Sequence, residues 1–97
     1  MERRKLNHRP AVFVDVDGTL LLHRSKRINK QLLARIEERQ GHVDFVLWSA
    51  RGRKYAETFA KTAGIEELFV AIVPKPTCIV DDLGSGWDRC IAINAFE

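Results

Sequence analysis

Residues 11–17 read Ala-Val-Phe-Val-Asp-Val-Asp, and this stretch decides the fold. The run Ala11–Val14 is short, continuous in apolar residues and partly β-branched, which is typical of a buried central strand. It ends at Asp15, and Asp17 follows two positions later, so two carboxylates leave the strand on the same side. Carboxylates held together repel each other, and a hard divalent cation such as Mg²⁺ would offset that repulsion. The stretch therefore predicts a strand that ends in an acidic site.

The turn after these carboxylates is Gly18-Thr19. Gly18 permits a positive φ and close approach of a ligand to the backbone, and Thr19 offers a hydroxyl group. Two other interpretations fit residues 15–19. An ordinary Asp-Gly turn after a strand favours the same residue types. A calcium loop also begins in this way, although the later acidic positions of that motif are absent.

Apolar runs and helix-period segments alternate along the chain that follows. Periodicity and capping signals predict helices over 29–39, with Asn29 as N-cap, and over 55–63. Further strands are predicted over 43–48, 68–73, 77–80 and 89–93. Pro74-Lys75-Pro76 is predicted to be a loop, because proline fixes φ and lacks an N–H. We expect an α/β fold, a doubly wound, Rossmann-like three-layer sandwich with a central parallel sheet of about five strands.

Polar residues follow the predicted strands at the point where each one ends. Ser49 follows the second strand, and Asp81-Asp82 follows the fourth, as Asp15 follows the first. Open parallel sheets bind ligands at the carboxyl ends of their strands. We therefore expect residues that are far apart in sequence to meet in one pocket. Taken singly, Ser49 could instead cap the next helix, and Lys75 could be a solvated loop residue.

The four motifs resemble, in type and order, those of the haloacid dehalogenase-like superfamily of Mg²⁺-dependent phosphohydrolases. In that family the first strand ends in Asp-x-Asp-Gly-Thr, as at 15–19, and the second ends in Ser or Thr, as at Ser49. A Lys precedes the fourth strand, as Lys75 does, and an acidic pair ends it, as Asp81-Asp82 does. The resemblance covers residues 11–82. It implies hydrolysis of phosphomonoesters through an aspartyl-phosphate intermediate, with Mg²⁺ as cofactor.

The same resemblance assigns roles to individual residues. It implies that Asp15 is the nucleophile, Asp17 the general acid and base, and Lys75 the catalytic cation that balances the charge of Asp15 and phosphate. The implied phosphate-binding residues are Gly18, Thr19, Ser49 and Ala50. Arg51 follows Ser49 by two positions and could also reach the phosphate. The implied metal ligands are Asp15, Asp17, Asp81 and Asp82, of which Asp82 better matches the direct ligand of the acidic pair.

The chain has 97 residues and a mass of 11.1 kDa, which fits one domain over 1–97. We expect a basic N-terminal tail over 1–9 and a flap loop over 20–28. Because only that loop separates the first motif from the first helix, the chain resembles a capless member with an open active site. The uncovered sheet edge expected after the fifth strand favours a homo-oligomer.

The charge is unevenly distributed. Residues 1–30 hold eight Lys or Arg against three acidic residues, whereas residues 31–97 hold eight against ten. This excess is either a solvated surface or a positive rim that attracts a polyanion. With Trp87-Asp88-Arg89 after the acidic pair, the chain is also similar to the phosphatase domain of polynucleotide kinase-phosphatases. The substrate is therefore expected to be a phosphorylated small metabolite or a nucleic-acid 3′-phosphate end.

The remaining expectations concern cellular location and other functional classes. The sequence has no apolar run long enough to span a membrane, no signal peptide and only two cysteines, so we expect a cytoplasmic protein without membrane contact. A receiver-like phospho-acceptor module would carry its acidic pair early and its acceptor Asp later, the reverse of the order here. A non-catalytic regulatory module that binds phosphate and Mg²⁺ on the same fold is the second alternative.

Overall fold

The structure, a computed structural model, describes residues 9–82. Three strands alternate with two helices, in the order β1 (Ala11–Asp15), α1 (Lys30–Glu38), β2 (Asp44–Ser49), α2 (Arg53–Ala63) and β3 (Ala71–Pro74), with a 3₁₀ turn at Glu66–Leu68. All strand pairs are parallel, and the sheet order is β1-β2-β3. The predicted parallel α/β fold is confirmed at this level. Within residues 9–82 there are three strands, so five strands and a third layer are not established.

The core lies on one face of the sheet. Val14, Leu47 and Ile72 are register partners across the three strands, so their side chains point to the same side. They pack in one apolar cluster with Ile36 of α1 and Ala60 of α2. Both helices therefore contribute to the same face, as expected when two successive right-handed crossovers step across a sheet in the same direction.

The opposite face is only partly covered by the described residues. Phe13 remains 47% exposed, and its ring contacts that of Trp48 at a centroid distance of 4.6 Å. Val46, which is in register with Phe13, is nevertheless buried. The expectation of helices on both faces is not met within residues 9–82, because neither described helix follows β3.

Both helix boundaries agree closely with the capping signals. The side chain of Asn29 accepts a hydrogen bond from the backbone N–H of Leu32, which fixes the start of α1. Gly64 closes α2 in the left-handed conformation, with φ of 71°. The second strand is also found within one residue of its predicted start and end.

The third strand begins later than predicted. Residues 66–68 form the 3₁₀ turn, and the buried Phe69 packs into the core before β3 begins at Ala71. β3 also includes Pro74, which was predicted to lie in a loop. Among the described strands β3 is an edge strand. Proline is tolerated at an edge, because a residue whose N–H would face away from the sheet needs no N–H for strand pairing.

The prediction of a fourth strand over 77–80 is wrong for this structure. These residues are not in a strand, Ile79 is 53% exposed and Val80 is 95% exposed. Only residues 75 and 76 separate β3 from this segment, and two residues span at most roughly 7 Å. A parallel strand needs a crossover of about a dozen residues to return to the start of the sheet. The β-branched composition predicted a strand, but the connection is too short for parallel pairing.

Some predictions fall on residues that the structure does not describe. The fifth strand over 89–93, the segment 87–89 and residues 1–8 of the basic tail lie outside the range 9–82. Among the helices that are described, none is long and apolar enough to cross a membrane.

Candidate active site

Three polar residues meet where the three parallel strands end. Asp15 is the last residue of β1, Ser49 is the last residue of β2, and Lys75 directly follows β3. The backbone N–H of Lys75 donates to the carbonyl oxygen of Ser49 at 2.9 Å, which extends the pairing of β2 and β3 by one bond. The Lys75 ammonium then lies 3.8 Å from Oδ1 of Asp15. The carboxyl edge of the sheet thus brings a carboxylate and a cation together from positions 60 residues apart in the chain.

The loop after β1 is held by buried apolar residues on either side of its polar tip. Val16 and Leu20 are fully buried. The N–H of Gly18 donates to the carbonyl of Leu21 at 2.7 Å, and the N–H of Leu21 donates to the carbonyl of Val16 at 2.8 Å. Because the loop is anchored at both ends, Asp17 at its tip has a fixed backbone position.

Gly18 meets a backbone requirement and a space requirement. Its φ is 85°, a conformation that side-chain-bearing residues seldom adopt. A Cβ at this position would also collide with the imidazole of His23. His23 therefore lies against the proposed site, although its sequence spacing gave no reason to place it there. Its position in the loop after the first motif, four residues beyond Thr19, was the one available signal.

Helix α1 is tied to the same loop through its cap. The amide group of Asn29 donates to the carbonyl oxygen of Thr19 at 3.2 Å, while its side-chain oxygen caps the helix. One side chain thus links the start of α1 to the proposed phosphate-binding turn. Thr19 itself is half-buried in that turn.

Ser49 organises the loop between β2 and α2. Its side chain is buried, and its hydroxyl oxygen accepts a hydrogen bond from the backbone N–H of Arg51 at 2.9 Å. The N-cap of α2 is Gly52, so Ser49 does not cap that helix. Ala50 is exposed in the turn between Ser49 and Arg51.

Asp17 is held by two side chains from the next βα unit. The Tyr55 hydroxyl donates to Oδ1 of Asp17 at 2.8 Å. A guanidinium nitrogen of Arg51 lies 4.0 Å from Oδ2 of Asp17, and the guanidinium carbon lies 4.4 Å from the centroid of the Tyr55 ring. Sequence analysis missed Tyr55, because its spacing placed it in the apolar stripe of α2. One signal could have identified it: Tyr55 carries a hydroxyl group in the first turn of the helix that begins beside the site.

Burial and neighbouring groups raise the pKa values of both Asp15 and Tyr55, for different reasons. Burial raises the pKa of the Asp15 carboxyl above its ordinary value, Lys75 opposes this shift, and the carboxylate of Asp17 adds to it. The hydrogen bond to Asp17 raises the pKa of Tyr55 above its ordinary value, so the hydroxyl keeps its proton and remains a donor. Asp15 is therefore a carboxylate whose charge is only partly compensated by the protein itself.

The predicted metal ligands do not all converge. Asp81 and Asp82 are exposed, and the described part of the chain contains no group of three or more His, Cys, Asp or Glu side chains placed to hold a metal ion. The Asp15 carboxylate and the backbone carbonyl of Asp17 nevertheless have the donor chemistry that Mg²⁺ requires, since this ion often takes one or two protein oxygen ligands and fills its other positions with phosphate oxygens and water. The incomplete compensation of Asp15 also favours a nearby cation. These two residues could therefore hold Mg²⁺.

Fold and site together describe an α/β protein with an Asp-x-Asp-Gly-Thr motif at the carboxyl edge of a parallel sheet, flanked by a serine and a lysine at the neighbouring strand ends. The model of the haloacid dehalogenase-like hydrolase family matches residues 12–73, and the chain belongs to this family. The match includes the first motif, Ser49 and Tyr55, and it ends before Lys75. No curated protein and no solved structure matches the chain.

Proposed function

We propose that this chain hydrolyses phosphomonoesters through a covalent aspartyl-phosphate on Asp15. The observation that carries the proposal is the contact between Lys75 and Asp15, 3.8 Å apart at the end of β1, with Asp17 two residues further on. A carboxylate nucleophile divides a very slow reaction into two easier steps. A fixed cation beside it counters the repulsion between carboxylate and phosphate. Family membership supports a hydrolase, and this arrangement supports phosphate as the group that is transferred.

The first step transfers the phosphoryl group to the protein. A carboxylate oxygen of Asp15 attacks the phosphorus atom, and the bond between phosphorus and the ester oxygen breaks. Asp17, acting as general acid, donates a proton to the departing oxygen, so the alcohol leaves in neutral form. The backbone amides of the turn at 17–18 and the Ser49 hydroxyl are the proposed donors to the phosphoryl oxygens.

The second step releases phosphate. Asp17, now a carboxylate, accepts a proton from the water molecule that attacks phosphorus, and the acyl-phosphate bond breaks to regenerate Asp15. Lys75 stays beside the Asp15 carboxylate in both steps and limits the build-up of negative charge there. Asp15 and the backbone carbonyl of Asp17 would hold Mg²⁺, which would supply positive charge against the nucleophile and the phosphate.

The test is hydrolysis of an aryl phosphate with Mg²⁺, with EDTA, and by Asp15→Asn. We expect turnover that requires Mg²⁺ and that falls to background in Asp15→Asn. The matched control is Asp44→Asn, which removes a carboxylate of similar exposure at the other end of β2, where it pairs with Arg9. This control should keep wild-type activity. Undiminished turnover in Asp15→Asn would remove the nucleophile assigned here, and an inactive wild type that still binds Mg²⁺ would favour a regulatory phosphate-binding module.

A further inference from the structure

The contact between Tyr55 and Asp17 joins two parts of the chain 38 residues apart. Tyr55 belongs to the first turn of α2, and its side chain packs against the core cluster, which restricts the ring. Its hydroxyl group reaches the loop after β1 and donates to Oδ1 of Asp17 at 2.8 Å. That distance is typical of a well-formed O–H···O hydrogen bond.

The two oxygens of Asp17 consequently have different surroundings. Oδ1 accepts the Tyr55 hydroxyl proton in a short hydrogen bond. Oδ2 faces Arg51 at 4.0 Å, which is beyond hydrogen-bond length. Arg51 is itself held in place, because its guanidinium group stacks over the Tyr55 ring and its backbone N–H is bonded to Ser49. Tyr55 therefore contacts one carboxylate oxygen directly and supports the cation that faces the other.

We propose that Tyr55 is a positioning residue that orients Asp17 so that Oδ2 delivers the proton to the departing ester oxygen. This inference rests on the proposed function, in which Asp17 is the general acid and base. An Asp carboxyl group rotates in a broad energy well about χ2, so without a partner its two oxygens exchange places. A packed tyrosine hydroxyl that donates to Oδ1 stops that exchange, and the transferable proton is carried on Oδ2. The proton moves from Oδ2 to the leaving oxygen and returns to Oδ2 from the attacking water, while Tyr55 keeps its own proton.

A positioning role and a purely structural role of Tyr55 differ in how the reaction depends on the leaving group. An aryl phosphate releases a phenolate that needs little protonation, whereas an alkyl phosphate releases an alkoxide that must be protonated as it leaves. Loss of orientation at Asp17 should therefore slow the first step of alkyl esters much more than that of aryl esters, whereas hydrolysis of the aspartyl-phosphate is the same step for both. A change in α2 packing would slow both esters to the same extent.

The experiment compares Tyr55→Phe with wild type on p-nitrophenyl phosphate and on glycerol phosphate, with kcat and KM measured for each. Phenylalanine keeps the ring, its packing and its stacking with Arg51, and removes only the hydroxyl. We expect kcat/KM on the alkyl ester, which reports the reaction up to departure of the alcohol, to fall by about tenfold or more, a fraction of the 10²–10⁴ that general acid catalysis supplies. We expect kcat/KM on the aryl ester to change little.

The matched control is Thr58→Val, which removes an exposed hydroxyl from the same helix and should leave both reactions unchanged. An equal loss of kcat/KM on the two esters, or no loss on either, would overturn the positioning role while leaving Asp15-dependent hydrolysis intact. If wild type hydrolyses neither ester, the proposed function fails, and this inference fails with it.

Discussion

At the scale of single residues, Asp15, the proposed nucleophile, is a carboxylate in an unfavourable electrostatic environment. Its carboxyl is partly withdrawn from water at the end of β1, and burial raises its pKa. Lys75 lies close enough to reduce this shift, but not close enough to remove it, since the pKa stays above its ordinary value. Active sites often contain groups with shifted pKa values of this kind. A carboxylate whose charge is fully neutralised by its neighbours would be a poor nucleophile, so stability is given up for reactivity.

The raised pKa of Asp15 predicts that the Asp15→Asn variant is more stable than wild type at neutral pH. Because the folded-state pKa is raised, folding favours the protonated carboxyl, and that favourable contribution is lost as the pH rises through the folded pKa. The neutral Asn side chain does not suffer this loss. In EDTA at pH 7 the variant should melt at a higher temperature than wild type, and the difference should vanish below the ordinary pKa of 3.8. Asp44→Asn should show no such gain, and an Asp15→Asn protein less stable than wild type at pH 7 would contradict the argument.

Gly18 provides a second prediction at this scale. Its φ of 85° should make Gly18→Ala destabilising by about 1–2 kcal/mol through the backbone alone. The contact with His23 should add to that loss. Gly41→Ala is the matched control, because Gly41 has a φ of 91° with open space where a Cβ would lie. Chemical denaturation should show a larger loss for Gly18→Ala, and His23→Ala should reduce the difference. Equal losses at the two glycines would exclude the His23 contact.

At the scale of elements, α1 is joined to the proposed phosphate-binding turn by one side chain. Asn29 caps the helix through its oxygen and holds Thr19 through its amide. The cap follows from the residue type and was predictable from sequence. The bond to Thr19 was not, because it depends on how the chain between them folds back.

Substitutions at Asn29 separate these two contributions. Asn29→Ala should lower the free energy of unfolding by about 1 kcal/mol or more, because the cap and the bond to Thr19 are both lost. Asn29→Asp keeps the capping oxygen and loses only the donor, so its stability should lie between those of Asn29→Ala and wild type. Urea denaturation measures both variants. An alanine variant as stable as wild type would show that neither bond contributes.

The described elements show where sequence patterns predict structure and where they do not. The caps at Asn29 and Gly64 depend on local chemistry, and the structure has them as predicted. The apolar run before Asp15 forms a strand, but the expectation of a buried central strand is not met within residues 9–82, where β1 lies at an edge of the sheet and only Val14 of its apolar residues is buried. The segment 77–80 has strand composition, but pairing depends on the length of the connection, which composition does not show. The aromatic ring of Tyr55 fits the apolar periodicity of α2. That periodicity could not show that the Tyr55 hydroxyl donates to Asp17 in the loop after β1.

At the scale of the whole molecule, exposed basic residues follow the first motif along the chain. Residues 23–27 follow the first motif, and Arg24, Lys26 and Arg27 are exposed while His23 lies against Gly18. A positive surface next to a phosphate site attracts polyanions more strongly than small esters. On this distribution we propose a nucleic-acid 3′-phosphate as one candidate substrate, beside a small phosphorylated metabolite.

Salt dependence tests that proposal. If the substrate is nucleic acid, added salt should lower kcat/KM for a 3′-phosphorylated oligonucleotide far more than for an aryl phosphate, because counterions are released only from the polymer. Charge reversal in Lys26→Glu/Arg27→Glu should weaken only the oligonucleotide reaction. Lys54→Glu/Lys61→Glu, on exposed positions of α2, is the matched control. An equal salt response of the two substrates would favour a small phosphorylated metabolite.

The central claim is that Asp15 carries the phosphoryl group, and chemical trapping tests it most directly. Acid quenching during turnover, followed by borohydride reduction, converts an aspartyl-phosphate to homoserine, which peptide mass spectrometry can locate. The account predicts homoserine at position 15 in wild type and none in Asp15→Asn. Turnover without any reduced residue at position 15, or with the reduced residue at another position, would contradict it.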